Sequence, residues 1–209
     1  MNSGRRFIDI LKVLEEQPQQ VKAELCITKL FKDCEHVHMT EHFDYIIEDA
    51  TLEDLPAIVA IYNETIAGRM VTADLEPVTV DARRKWFDEH SPDFRPLLVM
   101  KSGGKVIAWL SFQSFYGRPA YNGTAEISIY ITEAYRSRGI GGILLNRSFA
   151  ICPEIGVHTL LGFVFSHNEP SLKLLSKFGF ERWAHLPRVA NLDGVERDLV
   201  ILGKRVVEA

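Results

Sequence analysis

Arg136-Ser137-Arg138-Gly139-Ile140-Gly141-Gly142 is the stretch on which the fold turns. Ahead of it stands the β-rich run Ala125-Glu126-Ile127-Ser128-Ile129-Tyr130-Ile131, and behind it the helix-like run Ile143 to Ala150. A glycine-rich turn between a strand and a helix leaves several backbone N–H groups without partners. It aims them, with the positive end of the helix dipole, at one spot that suits an anion. Glycine lets a bulky diphosphate approach the backbone with no Cβ in the way, and Arg136 and Arg138 add charge-assisted hydrogen bonds. Two other phosphate loops fail on spacing. Leu144 stands where a dinucleotide fingerprint needs its third glycine, and the Gly-Lys-Ser/Thr ending of a Walker A loop is absent. Taken alone, the turn also reads as an ordinary strand-turn-helix junction with glycines for tight packing.

Working outward from the turn, Tyr45 to Ala50 reads as a first strand, with Thr51 placed to cap a helix bearing Leu55, Ile58, Val59, Ile61 and Tyr62 and ending near Gly68. Arg69 to Pro77 has no period and reads as a loop, after which Thr79 caps a helix with Trp86 and Phe87. Leu97–Met100 and Lys105–Phe115 form a hairpin through Ser102-Gly103-Gly104, and Phe115 to Gly123 is a polar-aromatic loop leading into the strand Thr124–Ile131. Downstream of the turn the helix reaches about Ile151, with Pro153 and Gly156 closing it. A strand follows over Val157–Phe165. Asn168-Glu169-Pro170-Ser171 opens another helix, terminated by Gly179. Two β-rich runs, Phe180–Val189 and Arg197–Val206, close the chain around an Asp193-Gly194 hairpin signal. This order predicts an α+β fold with helices flanking one mixed sheet.

The chain has 209 residues, 46% apolar and 25% charged, ordinary for one globular domain with an appendage. A net charge of −4 with scattered basic residues argues against nucleic acid as partner. Cys26, Cys34 and Cys152 are odd in number and lack C-x-x-C spacing, which predicts a reducing cytoplasm and no metal site. Met1 to Leu14 is broken by Arg5, Arg6, Asp9 and Lys12, so no signal or membrane-spanning segment is expected there. Residues 1–44 read as a helical extension: Phe7, Ile10, Leu11 and Leu14 recur at helical spacing, and Val21, Leu25, Leu30 and Phe31 follow Pro18. Such an arm could cover a partner or a second copy of the chain, or play no part in the chemistry. Met39 is an alternative start ahead of the domain at 45–209.

Arg136-x-x-Gly139-x-Gly141 resembles the acyl-CoA loop of the GNAT superfamily of N-acetyltransferases. More narrowly, residues 45 to about 205 resemble the phosphinothricin and methionine sulfoximine acetyltransferases. The resemblance rests on Asp54-Leu55-Pro56 with Ile61-Tyr62-Asn63, on Glu76-Pro77-Val78 with Arg84-x-Trp86-Phe87, and on Tyr121-x-x-Thr124-x-Glu126-x-Ser128-x-Tyr130. Asn168-x-x-Ser171 and Lys177-Phe178-Gly179-Phe180 complete it. It implies a GNAT fold with a mixed, mostly antiparallel sheet and acetyl-CoA as co-substrate. Ile129, Tyr130 and Ile131 would bind the pantetheine arm, and Arg136, Ser137, Arg138, Gly139, Ile140, Gly141 and Gly142 the pyrophosphate. Asn168 and Ser171 would approach from the other side. Glu126 resembles the glutamate that the family places at the acceptor amine and is the candidate general base.

The acceptor implied is a small amino-acid-like amine. Its pocket is expected from the loops Arg69–Pro77 and Phe115–Thr124, with Arg118, Tyr121 and Arg69 as binding side chains. A polyamine or protein N-terminus would instead favour Asp74 and Glu76, and a catalytically weak acetyl-CoA-binding module is a further alternative. The chain departs from the family at two places. Leu175 stands where the last helix carries a proton donor, which predicts slower turnover, and Val195-Glu196 stands where the family has an Arg-Trp pair at the acceptor pocket or a dimer contact. A homodimer is therefore left open. His158 lies in an apolar strand and reads as a core histidine, His167 is adjacent to Asn168 and could touch the acceptor, and Cys152 has no histidine spaced to make it a nucleophile.

Overall fold

The computed structural model describes residues 44–207. The arm expected over residues 1–44, with Met39, Cys26 and Cys34, lies outside these residues apart from Asp44. The strands are β1 (Ile46–Asp49), β2 (Leu97–Ser102), β3 (Lys105–Ser114), β4 (Thr124–Ile131), β5 (Thr159–Phe165), β6 (Glu181–Leu192) and β7 (Val195–Arg205). The helices are α1 (Leu55–Asn63), α2 (Val80–Asp88), α3 (Ile140–Ile151) and α4 (Glu169–Lys177). One seven-stranded sheet has the order β1-β2-β3-β4-β5-β7-β6. Every pairing is antiparallel except β4 with β5.

Alternation along the strands splits the core between the two faces. On β3, Ala108, Leu110 and Phe112 turn toward α3 and α4, where they meet Leu144, Leu145 and Leu175. Trp109 turns the other way, toward Ile58, Ile61 and Tyr62 of α1. On β4, Ala125 and Ile127 join the first cluster and Tyr130 packs against the second. Glu126 and Ser128 therefore share the α1 side of the sheet with Tyr130.

Local chemistry sets the ends of the elements. The Thr51 N–H and hydroxyl donate to the Asp54 carboxylate at 2.9 and 3.0 Å, and Lys101 pairs with Asp54 at 2.8 Å. Burial works against the charged form of Asp54, but the Lys101 and Thr51 contacts outweigh it and hold the pKa below the usual carboxylate range. Thr79 caps α2 by accepting the Ala82 N–H at 3.1 Å. The hairpin tips Gly103-Gly104 and Asp193-Gly194 all have positive φ, the mirror-image turn that suits strand twist.

Two boundaries differ most from the sequence expectation, besides two-residue shifts at the starts of β5 and β7. α1 stops at Asn63, five residues short of Gly68, because polar side chains there compete for backbone groups. Thr65 donates to the Tyr62 carbonyl at 2.7 Å, and Asn63 bonds the Val78 backbone both ways, at 2.9 and 3.0 Å. β6 runs through Pro187 to Leu192 with register shifts near Trp183 and Pro187, which an edge strand tolerates because proline's missing N–H faces no neighbour.

Candidate functional site

β4 and β5 pair over only three positions, Thr124 with Thr159, Ala125 with Leu160 and Glu126 with Leu161. β3 holds the far edge of β4 from Ala125 to Ile131, and β7 holds the far edge of β5. Past Glu126 the two strands therefore part with their facing edges unpaired, and a cleft of about 580 Å³ opens between them. One wall is Ile127 to Ile131; the other is Gly162, Phe163 and Val164. The glycine-rich turn and the start of α4, including Asn168 and Ser171, close its end. An open strand edge offers backbone donors and acceptors to any extended ligand laid along it.

The turn is built as the sequence suggests, with one correction. Ser137 and Gly139 adopt φ of 62° and 80°, and α3 begins at Ile140. The N–H groups of Ser137, Gly139, Ile140 and Gly141 have no protein acceptor among the described residues. Gly142 does not belong to this set: its N–H donates to the Gly139 carbonyl at 3.0 Å and is spent on the first turn of the helix. The glycines also divide their roles. A Cβ at Gly139 would meet nothing within 4 Å, whereas one at Gly141 would lie 2.7 Å from Leu174 and one at Gly142 2.8 Å from Phe178. Gly139 keeps the anion side open, and the other two let α4 pack close. Arg136 is anchored by its Nε, which donates to the Ile131 carbonyl at 3.1 Å, and Arg138 lies over the Tyr135 ring.

Asn168 is 5% exposed, caps α4 through the Ser171 N–H at 3.2 Å and donates to the Met70 carbonyl at 2.9 Å. It thus fastens the 69–72 loop to the cleft wall, where Met70 and Val71 line the opening. His167 Nε2 reaches the Arg69 carbonyl at 2.9 Å and does the same work. Arg69 itself does not join Arg118 and Tyr121. Its guanidinium pairs with Asp193 at 2.6 Å, at the β6–β7 tip, and bonds the Ile66 carbonyl.

Glu126 sits on the last closed rung. No side chain or backbone donor among the described residues bonds its carboxylate, and burial raises its pKa above the usual carboxylate range. On the same face lies an aromatic stack whose assembly the sequence did not show. Tyr130 stacks on Trp109 at 4.3 Å and lies 5.2 Å from the Tyr62 ring. The Tyr62 hydroxyl donates to Asp74 at 2.6 Å, and Arg83 covers that ring while pairing with Asp74 at 3.3 Å. Asp74 is thereby engaged within the protein. Tyr121 and Arg118 sit on the β3–β4 connection, where Phe115, Tyr116 and Tyr121 form an edge-to-face aromatic group. Cys152 is fully buried and its thiol is pushed up to about 12, so it stays protonated. His158 lies exposed ahead of β5 against Gly123 rather than inside an apolar strand. Among the described residues no helix is long and apolar enough to cross a membrane.

This splayed sheet with its amide-lined turn defines an acyl-CoA-dependent class of fold, and the relatives agree. Residues 70–180 match the acetyltransferase (GNAT) family. A Bacillus subtilis (strain 168) protein provisionally named as the phosphinothricin acetyltransferase YwnH is 54% identical over 73% of this chain and 94% of its own length. The L-methionine sulfoximine/L-methionine sulfone acetyltransferase of Pseudomonas aeruginosa is 30% identical over 75% of this chain and 91% of its own. A Salmonella typhimurium protein, yncA, provisionally described as an acetyltransferase and solved with its cofactor acetyl-CoA, superposes with a TM-score of 0.74. It is 27% identical and covers 79% of this chain and 95% of its own. The chain belongs to the acetyltransferase (GNAT) family.

Proposed function

We propose that the protein is an N-acetyltransferase that moves the acetyl group of acetyl-CoA to the primary amine of a small amino-acid-like acceptor, of the phosphinothricin or methionine sulfoximine kind, by direct attack. The observation that carries this reading is the juxtaposition of a half-buried Glu126 carboxylate, with no hydrogen-bond partner among the described residues, with a cleft whose two edges are open backbone. The residues present fit the donor. Unpartnered amides at Ser137, Gly139, Ile140 and Gly141, with Arg136 beside them, suit its pyrophosphate, and the open edge at Ile129, Tyr130 and Ile131 suits its amide-bearing arm. The donor supplies an acetyl thioester.

The protein's own part is to prepare the nucleophile and hold developing charge. An amino-acid amine is mostly protonated at neutral pH, so Glu126 takes its proton directly or through water. A base positioned this way contributes roughly 10²–10⁴-fold. Its raised pKa brings it nearer the operating pH, which favours that role. A backbone N–H on the parted edge of β4 is placed to stabilise an oxyanion, a contribution of about 10²-fold or more. Leu175 packs against Gly162 and offers no proton, so the departing thiolate takes one from solvent. Thiols with a pKa of about 8.5 leave readily without help.

The engagement of Asp74 by Tyr62 and Arg83 takes up one of the two carboxylates, Asp74 and Glu76, that a polyamine acceptor would favour, and the position of Glu126 at the cleft supports an enzyme over a binding module. We place the enzyme in the cytoplasm, in keeping with the free thiol of Cys152. The test is release of CoA thiol from acetyl-CoA with L-methionine sulfone, L-methionine sulfoximine, phosphinothricin, spermidine and a short peptide. Turnover is expected with the first three. Turnover with spermidine or the peptide alone, or with none of the five, overturns the reading.

A further inference from the structure

The face of the sheet that carries Glu126 holds a second recess, of about 390 Å³, over β5, β7 and β6. Leu161 and Ile201 form its floor, Trp183 one wall, and Phe115 and Tyr121 from the β3–β4 connection another. Thr124, Thr159 and Arg205 stand at one end.

Strand register ties this recess to the reaction. Leu161, on its floor, is the residue paired with Glu126, so the recess begins beside the carboxylate and at the rung where the cofactor cleft opens. The rung Thr124–Thr159–Arg205 lies two residues farther along the strands. At strand rise that is roughly 6.6 Å, the reach of a stem of about four atoms. Arg205 donates through Nη1 to the Thr159 hydroxyl at 3.2 Å and lies 3.2 Å from His158 Nδ1, while its Nε and Nη2 have no partner among the described residues. Trp183 is seated directly on β7. A Cβ at Gly203 would come within 2.1 Å of its ring, so only glycine admits the indole there. Trp183 is 48% exposed, yet its ring lies against the sheet at Gly203.

We propose that this recess receives the side chain of the acceptor, with its amine at the Glu126 rung, Trp183 limiting its width and Arg205 holding its polar end. The inference rests on the N-acetyltransferase reading above. It assigns specificity to β5, β6 and β7. The matching acceptor side chain is an apolar stem that ends in an oxo or anionic group, because the walls are aromatic and aliphatic and the far end presents guanidinium and hydroxyl donors.

Steady-state kinetics of the full chain with acetyl-CoA test it, using L-methionine sulfone against L-norleucine, which has a similar stem and no terminal oxygens. Norleucine should be the poorer acceptor. Arg205→Met should raise KM for the sulfone about ten- to hundredfold, the loss expected for one charge-assisted contact. It should leave KM for norleucine and for acetyl-CoA within about twofold. Arg205→Gln should fall between the two, and thermal melts of both variants check the fold. Trp183→Ala should raise KM for both amino acids and spare that for acetyl-CoA. An equal effect of Arg205→Met on both amino acids, no effect on either, or norleucine serving as well as the sulfone overturns the assignment while leaving the enzyme reading intact. Absence of turnover with every amino acid overturns both.

Discussion

Glu126 on β4 and Leu161 on β5 form the last paired rung before the two strands separate, and partial burial with no hydrogen-bond partner among the described residues raises the pKa of the Glu126 carboxylate there. As the base, it must be ionised to act. Glu126→Gln is expected to lower kcat about 10²–10⁴-fold with little change in KM for acetyl-CoA. In the wild type, kcat/KM should fall on the acid side with a midpoint above the ordinary glutamate value of about 4.3. The substitution should abolish that limb. An unchanged pH profile in the variant would show that another group takes the proton.

The same residue makes a stability prediction whose sign follows from linkage. A raised pKa means that the folded state binds this proton more tightly than the unfolded chain. Stability therefore declines as pH rises from the ordinary carboxylate value through the raised one, and the penalty is complete above both. Glu126→Gln removes the penalty. Thermal melts should place the variant above wild type at about pH 8, with the gap closing by about pH 3.

Gly139 and Gly103 offer a matched pair. Both have positive φ and open space where a Cβ would go, but only Gly139 lies in the cleft. Substitution by alanine should cost each about 1–2 kcal/mol of stability, the penalty for an L-residue in left-handed backbone. Gly139→Ala should also raise KM for acetyl-CoA about tenfold or more, because relaxing the strain turns the adjoining amides away from their common focus. Gly103→Ala should leave it unchanged. Equal KM values for the two variants would count against the turn as the anion site.

The elements that sequence reading placed well are those fixed by local chemistry. Asn168 caps α4, Thr79 caps α2, and Gly179, Gly139 and the two hairpin tips fall where a positive φ is required; each signal lies within four residues of its effect. What could not be read is what the sheet brings together from afar. Nothing near Arg69 reveals that its charge is met by Asp193, 124 positions away. Trp183 gives no hint in sequence that it rests on Gly203, since the bulge placing it depends on pairing with β7. The turn shows the limit of a motif: its pattern could not say which glycine is needed for an anion and which for packing, a division that α4, some thirty residues on, decides by lying against Gly141 and Gly142.

The fastening of the 69–72 loop gives a graded prediction. The Arg69–Asp193 pair is exposed, so Asp193→Asn should cost less than about 1 kcal/mol and shift KM for acetyl-CoA no more than about twofold. Asn168→Ala removes both a helix cap and the bond to Met70, and should cost about 1–3 kcal/mol and raise that KM about tenfold. Chemical denaturation and steady-state kinetics read both quantities. A reversed order would mean that the hairpin tip, not the α4 cap, holds the loop over the cleft.

Arg95 is 2% exposed, and its guanidinium donates to the Ser114 hydroxyl at 3.1 Å, the Phe94 carbonyl at 2.8 Å and the Asn122 carbonyl at 2.9 Å. Ser114 ends β3 and Asn122 stands just before β4, so one buried cation ties both ends of the connection that carries Phe115, Arg118 and Tyr121. Burial lowers its pKa, yet guanidinium stays charged at any working pH, and truncating it strands buried acceptors without donors. Arg95→Met should therefore cost about 2–4 kcal/mol. In the fraction that stays folded, KM for the acceptor should rise at least about tenfold while KM for acetyl-CoA holds, because the turn at Gly139 takes no support from this connection. A parallel rise in both constants would mean that the substitution loosens the sheet as a whole, and that the β3–β4 connection is not held by this residue in particular.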